Sequence, residues 1–143
     1  MKKILFLITF VFMVHSLSAQ SGFEPAEANP EELEIAKELT HRILTEQSKG
    51  SYYPLTQDEA TAAMIEGLSE SVQKDSYKQI QGLFGDYKEV EYKEVLENTE
   101  GDKYKIYRFK GHFETDANIE VRTIMDAQGK MAGFYIKPWS DKI

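Results

Sequence analysis

Alternation of apolar and polar side chains over residues 104–139 constrains the fold more than any other feature of the chain. The apolar residues at 107, 109 and 113, and again at 119, 121 and 125, all fall on odd-numbered positions, which is the period of a strand with one buried face. Between the run at 119–125 and a further apolar run at 131–137, residues 126–130 fit a type I turn with Gly129 in the left-handed conformation, closing a three-residue hairpin loop. The pattern predicts three consecutive antiparallel strands.

A fourth strand is predicted just before them, over about residues 87–96. Val90 and Tyr92 share one face of this run, whereas Val95 falls on the other. An extra residue in the strand would restore all three to one face, so we expect a β-bulge near Lys93.

Helical signals occupy the region that precedes the strands. Asn29 is a helix cap, followed by Pro30 at the first helical position, and this helix should run to about Gln47. Thr56 and Glu59 form a capping box for a second helix, and a third covers about residues 74–83. Helices followed by a meander predict an α+β fold, in which N-terminal helices pack on one face of a curved, cone-shaped, four-stranded antiparallel sheet.

The predicted hairpin register pairs Val121 with Tyr135 and so defines two faces of the sheet. The helix-covered face then carries Tyr107, Phe109, Phe113, Ile119, Val121, Met125, Met131 and Tyr135. The second face is mostly charged but also carries four apolar residues: Ile106, Ile124, Phe134 and Ile136. These four predict an interface with a partner or with a second copy, as a homodimer. Scattered exposed apolar residues are the alternative.

The N-terminus has the pattern of a signal peptide over residues 1–19. Lys2 and Lys3 precede an apolar run and then small residues, and cleavage after Ala19 or after Ser18 fits the pattern. A buried N-terminal strand is the alternative. The chain then divides into a linker at 20–29, one domain at 30–139 and a tail at 140–143. We therefore expect an exported protein, periplasmic or secreted. No stable membrane anchor is expected after cleavage, because the chain contains no Cys that could carry a lipid. For the same reason no disulfide is expected.

Net charge narrows the classes of partner. The chain has a formal net charge of −7, which becomes more negative once Lys2 and Lys3 are removed. An acidic surface repels phosphate backbones and anionic lipids, so nucleic acid is not an expected partner.

Two stretches resemble a known family. The sequence Leu-Phe-Gly-Asp-Tyr at 83–87 and the pattern Asp-x-x-Gly-Lys-Met-x-Gly-Phe at 126–134 are similar to the small bacterial domains numbered 3887 among domains of unknown function. These domains belong to the nuclear-transport-factor-2-like superfamily. The resemblance covers about residues 30–137 and rests on structural motifs. It implies a cystatin-like cone fold with a pocket, and it supplies no catalytic residues.

Signatures of chemistry are missing from the sequence. His41 has no second His near it, so no metal site is predicted. There is no Cys, no Gly-x-Ser-x-Gly elbow and no phosphate-binding loop, and thus no catalytic residue or cofactor is predicted. The acidic residues concentrate on a solvated helix face and in the run from Glu89 to Glu97 rather than inside the expected cone.

Aromatic side chains are the remaining candidates for a site. Rings with a polar tip suit the rim of a pocket, although ordinary core packing is the alternative. The predicted pocket residues are Tyr52, Tyr53, Tyr77, Tyr107, Tyr135 and Trp139. The sequence favours a non-enzymatic module that binds a small apolar or peptide-like ligand or another protein. An isomerase- or dehydratase-like enzyme that uses the same pocket is the first alternative, and an inhibitor or immunity-type protein is the second.

Overall fold

The computed structural model describes residues 22–141, so the predicted signal peptide and the last two residues of the tail lie outside it. Helices and strands follow one another as the sequence predicts, apart from one early strand. The helices are α1 (Pro30–Ser48), α2 (Ala62–Gly67) and α3 (Glu70–Phe84). The strands are β1 (Phe23–Pro25), β2 (Tyr87–Asn98), β3 (Lys105–Phe113), β4 (Ile119–Met125) and β5 (Met131–Pro138).

The strands form one antiparallel sheet in the order β1-β2-β3-β4-β5. The α+β class and the packing of helices against a curved sheet are confirmed. The prediction of four strands is wrong, because β1 pairs with the end of β2, Phe23 opposite Asn98. This fifth strand lies within the segment interpreted as a linker.

Helix starts differ in how well the sequence marks them. Asn29 caps α1 as expected, and its Oδ1 accepts from the backbone N–H groups of Glu31 and Glu32 at 3.0 Å each. The Thr56 N–H also reaches Glu59 Oε2 at 3.0 Å. That contact makes only an isolated turn, since α2 begins later with Thr61 as its cap.

The predicted bulge in β2 is confirmed. Tyr92 lies opposite Phe109 and Glu94 lies opposite Arg108, which leaves Lys93 as the extra residue. The parity of β2 changes there, so Val95 joins Tyr92 on the helix-covered face.

A second bulge, in β5, overturns the predicted hairpin register. Met125 lies opposite Met131 and Ile124 opposite Gly133, so Ala132 is extra. Val121 therefore pairs with Ile136, and Tyr135 pairs with Arg122. Every β5 side chain after the bulge changes face: Phe134 and Ile136 join the main core, and Tyr135 moves to the second face.

The main core fills the space between α1 and the sheet. Ile43 and Leu44 of α1 contact the same apolar cluster as Phe109 and Val121. Its centre also holds a polar contact, Thr40 Oγ1 to Thr123 Oγ1 at 2.5 Å. Because the Thr40 hydroxyl already donates to the Ala36 carbonyl, Thr123 is the donor, and one chain of hydrogen bonds joins α1 to β4.

A single side chain of α3 holds the loop between α1 and α2. The Tyr53 N–H donates to Gln73 Oε1 at 2.8 Å, and Gln73 Nε2 donates to the carbonyls of Tyr53 at 2.8 Å and Leu68 at 2.9 Å. Gln73 is fully buried. Its amide therefore supplies the hydrogen bonds that a neighbouring backbone would otherwise make.

Candidate functional site

A small cleft lies where α1 and α3 meet the first part of the sheet. Its cavity volume is about 10 Å³, which is room for about one water molecule, and it opens to solvent at its mouth. Its walls are mostly apolar. The lining residues are Leu44, Gln47, Ser48, Tyr77, Ile80, Gln81, Gly85, Tyr87 and Phe113.

Gln47 is the unusual member of this lining. The residue is only 3% exposed, and its Oε1 accepts no hydrogen bond from any described residue. A buried acceptor left unpaired costs about 1–3 kcal/mol of folding free energy. The cleft thus combines apolar walls with one acceptor suited to a donor group from a ligand.

Tyr87 lines the same cleft and ties its wall to α1. Its hydroxyl lies 2.9 Å from His41 Nδ1, and the two rings are 5.7 Å apart. Burial, and secondarily the charge of Glu89, raise the pKa of the Tyr87 hydroxyl. Tyr87 therefore stays protonated at neutral pH and acts as a neutral polar group rather than a base.

Three of the six predicted pocket residues lie near α1 and α3, and one of them lines the cleft. Tyr77 contributes to the cleft wall. The Tyr53 hydroxyl instead donates to Glu59 Oε1 at 2.7 Å, and the Tyr52 ring lies 5.8 Å from Lys74 Nζ.

The other three are separated by the sheet. Tyr107 is fully buried on the helix-covered face, and its hydroxyl donates to Glu32 Oε1 at 2.6 Å. Tyr135 lies on the second face, and Trp139 places its ring 4.4 Å from Arg108 on that face. The six predicted residues do not converge on one pocket.

A buried ion cluster, which the sequence analysis did not identify, occupies the second face. Arg108 and Glu120 are fully enclosed, and Arg108 donates from Nε to Glu120 Oε2 at 2.7 Å and from Nη2 to Glu120 Oε1 at 3.0 Å. Arg122 Nε also donates to Glu120 Oε2 at 2.5 Å. The Trp139 ring and the Ser140 carbonyl cover Arg108 from outside.

Pairing of opposite charges keeps the Glu120 carboxylate ionised inside the protein, so this cluster stabilises the fold. Burial alone would raise the pKa of the Glu120 carboxyl, but the hydrogen bonds and charges of Arg108 and Arg122 hold that pKa below its usual value. Glu120 thus remains ionised and paired at neutral pH, which a buried carboxylate requires.

The predicted interface on the second face is not a single patch. Ile106 and Ile124 are buried there with Leu96, in a small cluster flanked by Phe23, Tyr104 and Tyr135. Phe134 and Ile136 lie on the opposite side, in the main core. The β5 bulge is the cause, because it reverses the faces of these last two residues.

Within residues 22–141, no group of three or more His, Cys, Asp or Glu side chains could hold a metal ion. No helix in that range is both long and apolar enough to cross a bilayer.

Comparisons with protein-family models, with curated proteins and with solved structures return no match for this chain. The resemblance to the bacterial domains numbered 3887 stays a prediction.

Proposed function

We propose that this chain is a non-enzymatic binding module that takes a small ligand in the cleft between α1 and α3. The ligand has one hydrogen-bond donor, which enters the cleft in the space of about one water molecule, and an apolar body, which lies at the open mouth of the cleft. The observation that carries the proposal is Gln47 Oε1, a buried acceptor with no partner among the described residues, in a cleft walled by Tyr77, Tyr87 and Phe113. A donor placed there satisfies the acceptor while the rings contact the apolar body.

Lining chemistry favours binding over proton transfer. None of the described residues that line the cleft is a carboxylate or a histidine, and the pKa of Tyr87 is raised rather than lowered. A general acid or base needs a pKa near the working pH. This supports the binding module over an isomerase- or dehydratase-like enzyme.

Export to the periplasm or the medium and a cone-type fold are parts of the same proposal. Export rests on the signal-peptide pattern of residues 1–19, and the fold rests on the helices packed against a curved meander.

The test compares phenol with toluene, two probes of similar shape of which only phenol carries a donor. Amide chemical shifts of Leu44, Ile80 and Phe113 are followed during titration. We expect phenol to bind roughly tenfold more tightly, because only phenol satisfies the buried acceptor. Equal affinities for the two probes, or no chemical-shift changes up to their solubility limits, would contradict the proposal.

Two variants separate the acceptor from the cleft as a whole. Gln47→Met should abolish the preference for phenol while keeping the fold. Gln81→Met is the matched control, because Gln81 lines the same cleft but its Nε2 already donates to Asp86 Oδ1 at 3.0 Å. The control should retain the preference. Retention of the preference in Gln47→Met would overturn the assignment.

A further inference from the structure

The cleft between α1 and α3 presents two hydrogen-bond acceptors to a ligand. Gln47 Oε1 is buried and accepts no hydrogen bond from the described residues. The Ser48 hydroxyl, on the same lining, donates to the Thr45 carbonyl at 2.7 Å, so toward a ligand its oxygen can only accept. A hydroxyl group carries one proton to donate, whereas a primary ammonium carries three. An ammonium therefore has enough protons for both acceptors, and a hydroxyl does not.

The size of the space agrees with such a group. The cavity volume is about 10 Å³, which holds about one water molecule. A primary ammonium is a compact group of similar size. A quaternary ammonium, with three methyl groups on its nitrogen, is much larger and does not fit. The cleft thus selects a primary ammonium over a fully methylated one.

Aromatic rings form part of the wall. The rings of Tyr77, Tyr87 and Phe113 line the cleft. Those of Tyr87 and Phe113 are 5.8 Å apart at an interplanar angle of 67°, so they form a corner rather than a stack. The Tyr87 hydroxyl lies 2.9 Å from His41 Nδ1, which leaves the Tyr87 ring to contact a ligand. Aromatic faces carry negative charge density and attract cations, and a neutral donor gains no such attraction.

A carboxylate without a counter-ion lies beside the cleft. Gly85 is a lining residue, and Glu114 Oε2 lies 2.9 Å from the position that a Cβ on Gly85 would take. Glu114 forms no ion pair with any described residue. Burial raises the pKa of Tyr87, and the charge of Glu89 raises it further, so a second acid acts on the same wall. None of the described residues that line the cleft is basic, and the charges around it favour a cation.

We propose that the ligand of this cleft is a primary ammonium ion on an apolar body. The ammonium group enters the space beside Gln47 and Ser48, the aromatic walls contact it, and Glu114 balances its charge. This inference rests on the proposed function, because it specifies the donor group that the cleft takes. The net charge of −7 also favours the approach of a cation.

The test compares benzylammonium with benzyl alcohol, which have nearly the same shape and differ in the charge of the donor group. Amide chemical shifts of Leu44, Ile80 and Phe113 are followed during titration at neutral pH. We expect benzylammonium to bind about tenfold more tightly, because only its charge is attracted by the rings and the carboxylate. The preference should shrink as the salt concentration rises. Equal affinities, or tighter binding of benzyl alcohol, would overturn the assignment of a cation.

Gln47→Met distinguishes failure of this inference from failure of the proposed function. Benzyl alcohol that binds, loses affinity in Gln47→Met and is not surpassed by benzylammonium would reject the cation and leave the proposed function standing. Binding of both probes that Gln47→Met does not weaken would reject the proposed function, and this inference with it. The absence of binding by either probe would also reject both.

Benzyltrimethylammonium tests whether the protein attracts any cation. It carries the same charge as benzylammonium but has no N–H group and is too large for the space. We expect it to bind no more tightly than benzyl alcohol. Binding as tight as that of benzylammonium would overturn the proposal.

Charge removal supplies the last readout. Glu114→Gln should weaken binding of benzylammonium about two- to threefold and leave benzyl alcohol unaffected, in line with the energy of an exposed ion pair. Glu100→Gln is the matched control, because it removes the same charge between β2 and β3, at the end of β2 remote from Tyr87. The control should leave both affinities unchanged. Equal losses in the two variants would attribute the preference to the net charge of the protein and reject the local site.

Discussion

Ile124 lies directly opposite Gly133, and a Cβ added at Gly133 would come within 2.9 Å of Ile124 Cδ1. The glycine that follows the β5 bulge therefore leaves the space that the isoleucine side chain fills. Close packing of this kind makes the position sensitive to the addition of a single methyl group.

Gly133→Ala should lower the free energy of unfolding by about 1–3 kcal/mol, because the new methyl group overpacks the second face. Urea denaturation measures the change. Gly82→Ala is the control, since nothing lies within 4 Å of a Cβ placed there on α3. This control should be neutral or stabilising by about 0.5–1 kcal/mol. Equal stability of the two variants would contradict the contact.

The β5 register predicts opposite behaviour for two adjacent residues. Phe134→Ala should cost about 3–5 kcal/mol, as expected for a ring removed from the main core. Tyr135→Ala should cost less, because Tyr135 is only partly buried on the second face. Thermal unfolding of both variants checks this order, and a larger loss at Tyr135 would restore the register predicted from sequence.

The burial of Phe134 rules it out as a position at which to test dimerisation. Phe134→Glu would unfold the domain rather than produce a folded monomer, since the residue is 3% exposed in the main core. Any interface on the second face must therefore be altered at residues that remain accessible there.

Glu120→Gln should destabilise the fold by about 3–5 kcal/mol, because it leaves buried Arg108 without its main counter-ion. The pKa of Glu120 is lower in the folded state than in the unfolded chain, where it is near 4.5. The stabilisation is therefore complete above that value and is lost as the pH falls through the folded-state pKa. Urea unfolding at pH 7 and pH 3 should show a smaller acid loss in Glu120→Gln than in the wild type. An equal loss would contradict the role of the carboxylate.

Trp139→Leu should lower stability by about 1 kcal/mol through loss of the contact between its ring and the Arg108 guanidinium. Trp139 is the single tryptophan of the chain, so its fluorescence in the wild type also reports when the C-terminal segment leaves the second face. We expect the fluorescence and circular dichroism transitions to coincide, because Arg108 is part of the folded sheet. Loss of the fluorescence signal well before the sheet unfolds would show that the ring does not cover Arg108.

The two bulges show what the sequence could and could not predict. Val90, Tyr92 and Val95 change parity within one strand, so the pattern itself marks Lys93 as extra. Ala132 lies in the apolar run Met-Ala-Gly-Phe-Tyr-Ile, where either register leaves apolar residues on both faces. Only packing against β4 and the helices decides between the two registers.

Other misses have related causes. β1 is three residues long and ends in proline, so its composition is that of a linker, and its pairing with β2 is a long-range contact. The cleft was missed because Gln47 is an ordinary residue for a helix end. Its unusual property, burial without a partner, arises from how α1 and α3 meet. Tyr77 can be predicted as a pocket residue because it is aromatic. Arg108 and Glu120 have the pattern of ordinary charged residues on a solvated sheet face, so the sequence does not indicate that they are buried.

The amide of Gln73 has a consequence for chemical ageing of the protein. Deamidation there would replace a donor nitrogen by a carboxylate oxygen that faces the carbonyls of Tyr53 and Leu68. Two attractive contacts would become repulsive in a site closed to water, while no apolar contact would change. Hydrolysis of an amide needs water, and Gln73 is fully enclosed in the folded domain. Burial of this one side chain therefore protects the segment between α1 and α2 from such damage for as long as the domain stays folded.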